Sequence, residues 1–264
     1  MLKLTNVYKT FNPGTITERK ALIDINIELN EGDFVTVIGG NGAGKSTLLN
    51  LIAGVHEADS GTVLLDSTDI TYQKEYRRSR YLGRVFQDPM MGTAANMGIE
   101  ENLAMAFRRG KRRSLHWGIT HEERLSYTEK LKMLDLGLET RMKAKVGLLS
   151  GGQRQALTLL MATLQKPRVL LLDEHTAALD PKTAKKVLEL TEEIITRENL
   201  TTFMVTHNMK NAILYGNRLI MMYEGRIIFD ISGEEKKTLE VADLLKKFET
   251  VNDSDAVNDR MILT

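Results

Sequence analysis

The chain reads as an α/β protein with a mainly parallel sheet, an antiparallel β element and an inserted helical piece, and three features predict this. Short runs rich in Val, Ile, Leu, Phe and Met recur at residues 34–38, 62–65, 169–172, 202–205 and 219–223, and several are apolar at nearly every position, as in strands covered on both faces. Helical patterns separate them at 46–53, 153–164 and 183–196, the last with Ala184, Val187, Leu188, Leu190 and Ile194 at helix spacing. Between about residues 88 and 149 strand signals vanish. A Met-rich, charged segment interrupted by Gly110, Gly118, Gly137 and Gly147 predicts a helical insert there.

The end of the core differs. Residues 219–223, the Glu224-Gly225 pair and residues 226–229 predict two strands joined by a tight turn. After Ser232 an amphipathic stretch carries Leu239, Val241, Leu244, Leu245 and Phe248, followed by an acidic, Asn-rich tail expected to fray. The expected organisation is a core at 1–232 holding the insert at about 88–149, then a helical extension and tail at 233–264. No internal repeat is found.

Composition narrows the function classes. Across 264 residues, Lys and Arg number 36 against 35 Asp and Glu, a net charge of +1, so wholesale electrostatic binding to nucleic acid or anionic lipid is disfavoured. Hydrophobic residues at 42% and charged residues at 27% suffice for a real core. The absence of Cys excludes a disulfide scaffold, thiolate zinc sites and cysteine catalysis. No apolar run approaches the roughly 18–20 residues needed to cross a bilayer. The greasy stretch 212–223 is broken by Gly216, Asn217 and Arg218. The start, MLKLTNVYKTF, lacks the basic, apolar and small-residue regions of a signal peptide, so a cytoplasmic location is expected.

Three motifs carry chemistry. GGNGAGKST, residues 39–47, follows an apolar strand and opens a helix, the context a GxxxxGK[ST] phosphate loop requires. Glycines at 39, 40, 42 and 44 let successive N–H groups of the loop through Asn41 and Ala43 converge on phosphate oxygens, and the helix start adds partial positive charge. Lys45 is placed to reach the β and γ phosphates; Ser46 supplies a hydroxyl for Mg²⁺, with Thr47 beside it. VLLLDEH, residues 169–175, sets two carboxylates directly after a buried strand. Asp173 suits a direct or water-mediated contact to Mg²⁺, and Glu174 can polarise the water that attacks the γ-phosphate. LLSGGQRQAL, residues 148–157, puts Ser150, Gly151, Gly152 and Gln153 at a helix start, a second position suited to an anion.

Together these residues resemble ATP-binding-cassette (ABC) ATPases from Leu2 to about Ile231. The resemblance implies a P-loop NTPase core and a head-to-tail homodimer around two ATP, in which Ser150, Gly151, Gly152 and Gln153 of one copy meet the γ-phosphate held by the other. It further implies that Gln87 contacts Mg²⁺ and water and links the core to the insert. His207 would orient the γ-phosphate and catalytic water, and Asp180 would help couple the two sites. Phe11 falls where the family places an adenine-stacking aromatic, a contact worth about 1 kcal/mol, with Tyr8 competing for the role. His175 stands where proline is common and Ala177-Ala178 where serine is frequent; neither supplies a required donor, so ATPase activity is expected to survive.

For the work done, the resemblance implies separate transmembrane permease subunits, and hence a place on the cytoplasmic face of the membrane. It leans toward importers served by an external solute-binding protein for amino acids or related organic solutes. Export, lipid extraction and a soluble non-transport role are the other classes open to it, though the two cassettes of translation proteins and the long coiled coil of repair proteins are absent. Met90, Met91, Met97, Ile99, Glu100 and Leu103 are read either as a permease-docking lining or as the insert's own core. Arg108, Arg109, Lys111, Arg112 and Arg113, next to His116 and Trp117, are read either as a solvated face or as a lipid or permease contact; nucleic acid is not expected to bind them.

Overall fold

The computed structural model describes residues 1–111 and 118–248. The acidic tail therefore lies outside the described residues, as do Arg112, Arg113, His116 and Trp117.

The chain opens with an antiparallel sheet. Strands β1 (Leu2–Phe11), β2 (Arg19–Leu29), β4 (Ser60–Leu65) and β5 (Thr68–Asp69) lie in the order β2-β1-β4-β5. Strict alternation along β1 fails after Leu4: Asn6 takes a left-handed φ of 46°, Asp24 on β2 one of 54°, and the pairing slips between Leu4 and Val7 and again between Val7 and Lys9. Asn and Asp tolerate that conformation because their short polar side chains bond locally, and Asn6 Nδ2 donates to Asp24 Oδ1 at 2.8 Å. The bulge turns Val7 inward and leaves Tyr8 on the exposed face.

The second sheet, in the order β10-β9-β3-β8-β7-β6, carries the site. Strands β3 (Phe34–Gly39), β6 (Leu82–Val85), β7 (Val169–Asp173), β8 (Thr202–Val205) and β9 (Arg218–Tyr223) are parallel, and β10 (Arg226–Ser232) returns antiparallel to β9. Val35, Val37, Leu170, Leu171, Leu172, Phe203 and Val205 are fully buried. Each buried aliphatic side chain of this size contributes about 1.5–3 kcal/mol. Strand β6 is too short and too mixed to announce itself. Its Gly83 lets the following layer close in, since a Cβ there would lie 2.7 Å from the Ala162 carbonyl.

Helices cover both faces of this sheet. Helix α1 (Lys45–Ala53) packs with the antiparallel sheet on one side, with the short α2 (Glu75–Arg78) beyond it. On the other side lie α3 (Ile99–Phe107), α4 (His121–Lys132), α5 (Gly151–Thr163) and α6 (Pro181–Glu198). Single turns at Leu138–Thr140 and Val146–Leu148 complete the insert. Helix α7 (Met209–Leu214) and α8 (Gly233–Lys237) flank the β9-β10 hairpin, and residues 241–248 are helical.

The insert resolves two of the alternatives. Ile99 and Leu103 are completely buried and pack with Tyr127 and Leu131, so they belong to the insert's own core, while Met90 and Met91 are exposed. Glu100 is buried and ion-paired with Arg124 at 2.7 Å. The start of the basic cluster is not a free cationic face: Arg108 Nη2 donates to both carboxylate oxygens of Glu123 at 2.9 Å, Arg109 donates to the Ala162 carbonyl, and the Lys111 ammonium sits 3.6 Å from the Phe107 ring centre.

Candidate nucleotide site

Residues 40–44 leave the central strand β3 at the edge formed by the carboxyl ends of the parallel strands and turn into α1. Gly44, the residue before the helix, has φ 102°, and a Cβ on it would stand 2.5 Å from the Ala21 carbonyl. Gly39 is constrained in the same way against the Met222 carbonyl, at 2.3 Å. Glycine is thus required at both by close backbone approach and by a positive φ. Helix α1 has no side-chain cap and no acid in its first turn, so its leading N–H groups and its positive dipole end are left for an anion.

Lys45 folds back over the loop, donating to the carbonyls of Gly39 at 2.7 Å and Gly40 at 3.0 Å. It is buried, which lowers its pKa, and the carboxylates of Glu174 and Asp173 oppose that shift. Ser46 is exposed and Thr47 half-buried beside it. Asn41, Gly42 and Ala43 line a cavity of about 450 Å³ with Arg19, Lys20, Tyr223 and Glu224, and Arg19 Nη2 donates to the Gly42 carbonyl at 2.6 Å.

The carboxylates arrive on β7, which pairs with β8 and β6. Asp173 is the last residue of the strand; burial raises its pKa, while the cations of Arg84 and Lys45 pull it down. Arg84 Nη2 lies 3.6 Å from Asp173 Oδ2 and also donates to Asn50 Oδ1 at 2.6 Å. Glu174 follows in a left-handed φ of 41°, with its N–H on the Val205 carbonyl, and its Oε2 lies 3.4 Å from His207 Nδ1. Strain of this kind in a residue without a β-branch persists where the surrounding structure enforces it, here where strand β8 meets strand β7. Gln87 is exposed two residues beyond β6, whose Val85 is paired with Leu172, so it emerges at the same sheet edge as Asp173.

Among the described residues no cluster of three His, Cys, Asp or Glu side chains could hold a metal by itself. The donors present nevertheless fit Mg²⁺, which takes one or two protein oxygens and leaves its other positions to phosphate and water. A half-buried carboxylate at Asp173 and a hydroxyl at Ser46 are hard oxygen donors of that kind.

The Ser150 motif stands apart. Ser150 Oγ accepts from the Gln153 N–H and Gln153 Oε1 accepts from the Ser150 N–H, a closed capping box. Gly152 lets α5 touch α6, since a Cβ on it would lie 2.2 Å from Thr183 Cγ2. Asp180 caps α6 through the Thr183 N–H at 3.1 Å, and hydrogen bonding by the Thr183 side chain, then by that N–H, holds its carboxyl below the usual range. Ser150, Gly152 and Gln153 line a groove of about 820 Å³ with residues 133–136 and α6, and no residue of the phosphate loop lines it. One protomer thus gathers the loop, Asp173, Glu174 and His207 at one sheet edge and carries the serine-led helix elsewhere.

Phe11 lies edge-on to His56, ring centres 5.2 Å apart, with the Lys9 ammonium 5.7 Å from its ring. It does not line the 450 Å³ cavity, but its cross-strand partner Arg19 does. Tyr8 is exposed. His175 is buried, bonded through Nε2 to Thr191 Oγ1, and burial pushes its pKa down to about 4, which makes it a neutral packing residue. Arg19 and Arg84 are site neighbours that sequence reasoning missed; the only available signal was a cation within each strand pattern.

The family model described as ABC transporter matches residues 22–177. The chain is 46% identical over 254 residues to the tyrosine transport ATP-binding protein of Clostridioides difficile, covering 94% of this chain and 99% of that one. It is 33% identical over 245 residues to the phosphonates import ATP-binding protein PhnC of Lactococcus lactis, covering 89% and 94%. It spans 59% of the spermidine/putrescine import ATP-binding protein PotA of Haemophilus influenzae, at 34% identity over 89% of this chain. Among solved structures, a dimeric post-hydrolysis ATP-binding cassette bound to ADP and phosphate matches with a TM-score of 0.74 at 30% identity, over 88% of this chain and 98% of that one. With the phosphate loop, the paired carboxylates and the serine-led helix in place on this fold, the chain belongs to the ABC transporter family, as an ATP-binding subunit that hydrolyses ATP.

Proposed function

We propose that two copies of the chain close head to tail around two ATP and two Mg²⁺, and that this cycle powers uptake of a small organic solute through separate permease subunits at the cytoplasmic face. The observation that carries the reading is the separation within one protomer: the phosphate loop and Ser150 line different cavities, which favours a serine-led helix start that meets a γ-phosphate held by a second copy. The dimeric, ADP- and phosphate-bound relative supports that arrangement. The core at 1–232, with its insert at about 88–149 and the extension after it, is the unit we assign to the work.

Each residue then has a task. The N–H groups of the loop and Lys45 hold the β and γ phosphates, and Ser46, Asp173 and Gln87 would hold Mg²⁺, which when bound neutralises phosphate charge. Glu174 accepts the proton of the attacking water while His207, 3.4 Å away, orients that carboxylate and the γ-phosphate. Phe11 stacks on adenine, and Asp180 sits at the seam between copies. Hydrolysis removes the phosphate that bridges the two copies, and the dimer reopens.

The polyamine and phosphonate import relatives favour import, and the 46% identity to the tyrosine transport protein favours an amino acid delivered by an external binding protein. Glu174→Gln tests the mechanism. It should bind ATP, run as a stable dimer on size exclusion, and hydrolyse roughly 10²- to 10⁴-fold more slowly; wild-type turnover would remove the assignment. ATPase activity of the complex in vesicles should rise with tyrosine and not with spermidine or phosphonate.

A further inference from the structure

A lysine from the extension after β10 closes the end of α7. Lys236, in α8, is 3% exposed, and its ammonium donates to the carbonyls of Ile213 at 2.9 Å, Tyr215 at 2.6 Å and Gly216 at 2.9 Å. A helix end leaves such carbonyls unsatisfied, and α7 has no basic residue in its own last turn, so the buried cation falls to Lys236. Burial pushes its pKa down to about 8, which leaves it charged at neutral pH.

The other end of α7 is the catalytic edge. His207 immediately precedes Asn208, whose side chain caps α7 through the Asn211 N–H at 3.0 Å and whose N–H donates to Thr206 Oγ1 at 3.1 Å. In the middle, Thr36 Oγ1 of β3 donates to the Ala212 carbonyl at 2.8 Å. Met209, Ala212 and Ile213 share an apolar cluster with Leu239, Leu244 and Phe248 of the extension and with Ile38, the residue before the phosphate loop begins. A helix of six residues does not hold itself in water. Its place is set by ties at its two ends and along its apolar side.

We propose that Lys236 is a positioning residue for ATP hydrolysis: seated among the three carbonyls that end α7, it sets that helix against β3 and thereby places His207, so that the extension after β10 takes part in catalysis. The proposal rests on the role given to His207 above. A merely structural lysine would affect folding and nucleotide binding together; a positioning lysine affects turnover after binding.

The experiment compares the full chain with His207→Ala, Lys236→Met and Lys236→Ala. The expected Lys236→Met protein binds ATP as wild type does and has the same KM, with kcat lowered about tenfold, in the direction of His207→Ala. Lys236→Ala should regain turnover when n-propylammonium is added and not with sodium chloride at equal ionic strength, while wild type responds to neither. Wild-type kcat in Lys236→Met, parallel loss of binding and turnover, or no response of Lys236→Ala to the amine would each overturn the proposal. Wild-type turnover in His207→Ala would instead sink the role of His207 itself. Should the methionine and alanine variants not fold, Lys236→Arg, which keeps the charge, supplies the reading: the His207 ring resonances should shift while those of buried His175 stay, and unmoved His207 resonances would overturn the proposal.

Discussion

Two helix starts lie at the heart of this protein, and they are built in opposite ways. Helix α1 begins after Gly44 with no side-chain cap and no acid in its first turn; α5 begins after Ser150 with a capping box that satisfies Ser150 and Gln153 mutually. At α1 the unsatisfied N–H groups follow a loop whose Gly39 and Gly44 positions only glycine can fill, so a single protomer presents an anion cradle. At α5 the polar groups are already paired, which stabilises the helix alone and leaves Ser150 exposed at the surface beside the groove of about 820 Å³. One start is open to a ligand; the other is stable without one, and under the proposed function it would join a site only through a second copy.

Breaking the first start should have the larger effect. Gly44→Ala brings a methyl group within 2.5 Å of the Ala21 carbonyl at a φ of 102°, so we expect ATP affinity by calorimetry to fall. At a strain cost of about 1–3 kcal/mol the loss is about tenfold or more. Ser150→Ala separates the two starts more sharply. ATP affinity of the isolated chain should stay within about twofold while turnover falls about tenfold, with thermal stability lower by about 1 kcal/mol from the lost cap. Equal loss of affinity in both variants would erase the contrast.

The smallest effect on turnover concerns His175, which sits in the same motif as Glu174 yet is buried and neutral. Unfolded, its imidazole titrates at an ordinary 6.5; folded, at about 4. As pH falls through that window the unfolded chain takes up a proton that the folded chain refuses, so stability falls. Between pH 7 and pH 5 the loss is about 2 kcal/mol. His175→Gln, which can still donate to Thr191, should flatten this acid limb in calorimetric melts while leaving ATP turnover near wild type.

The phosphate loop, the Asp173-Glu174 pair and the Ser150 start were legible because their chemistry is local: strand, glycine turn and helix start are consecutive residues, and neighbouring backbone groups decide what they bind. The central strands were legible for a similar reason, since a strand covered on both faces is apolar throughout, whereas β6 with Gly83 and Arg84 carries no such mark. The two-sided reading of the insert needed the fold, which buries Ile99 and Leu103 and leaves Met90 out.

The sequence by itself determined that this chain is an α/β nucleotide-binding protein and where its glycine loop and paired carboxylates lie. Tertiary structure alone decided that Arg84 stands beside Asp173, that Arg108 and Arg109 are spent on internal partners, that His175 is buried and that Lys236 closes α7. The reason is physical: a charge or a polar ring has no fixed preference until its surroundings set the dielectric and supply the partner. For these residues the partner comes from a segment distant in the chain.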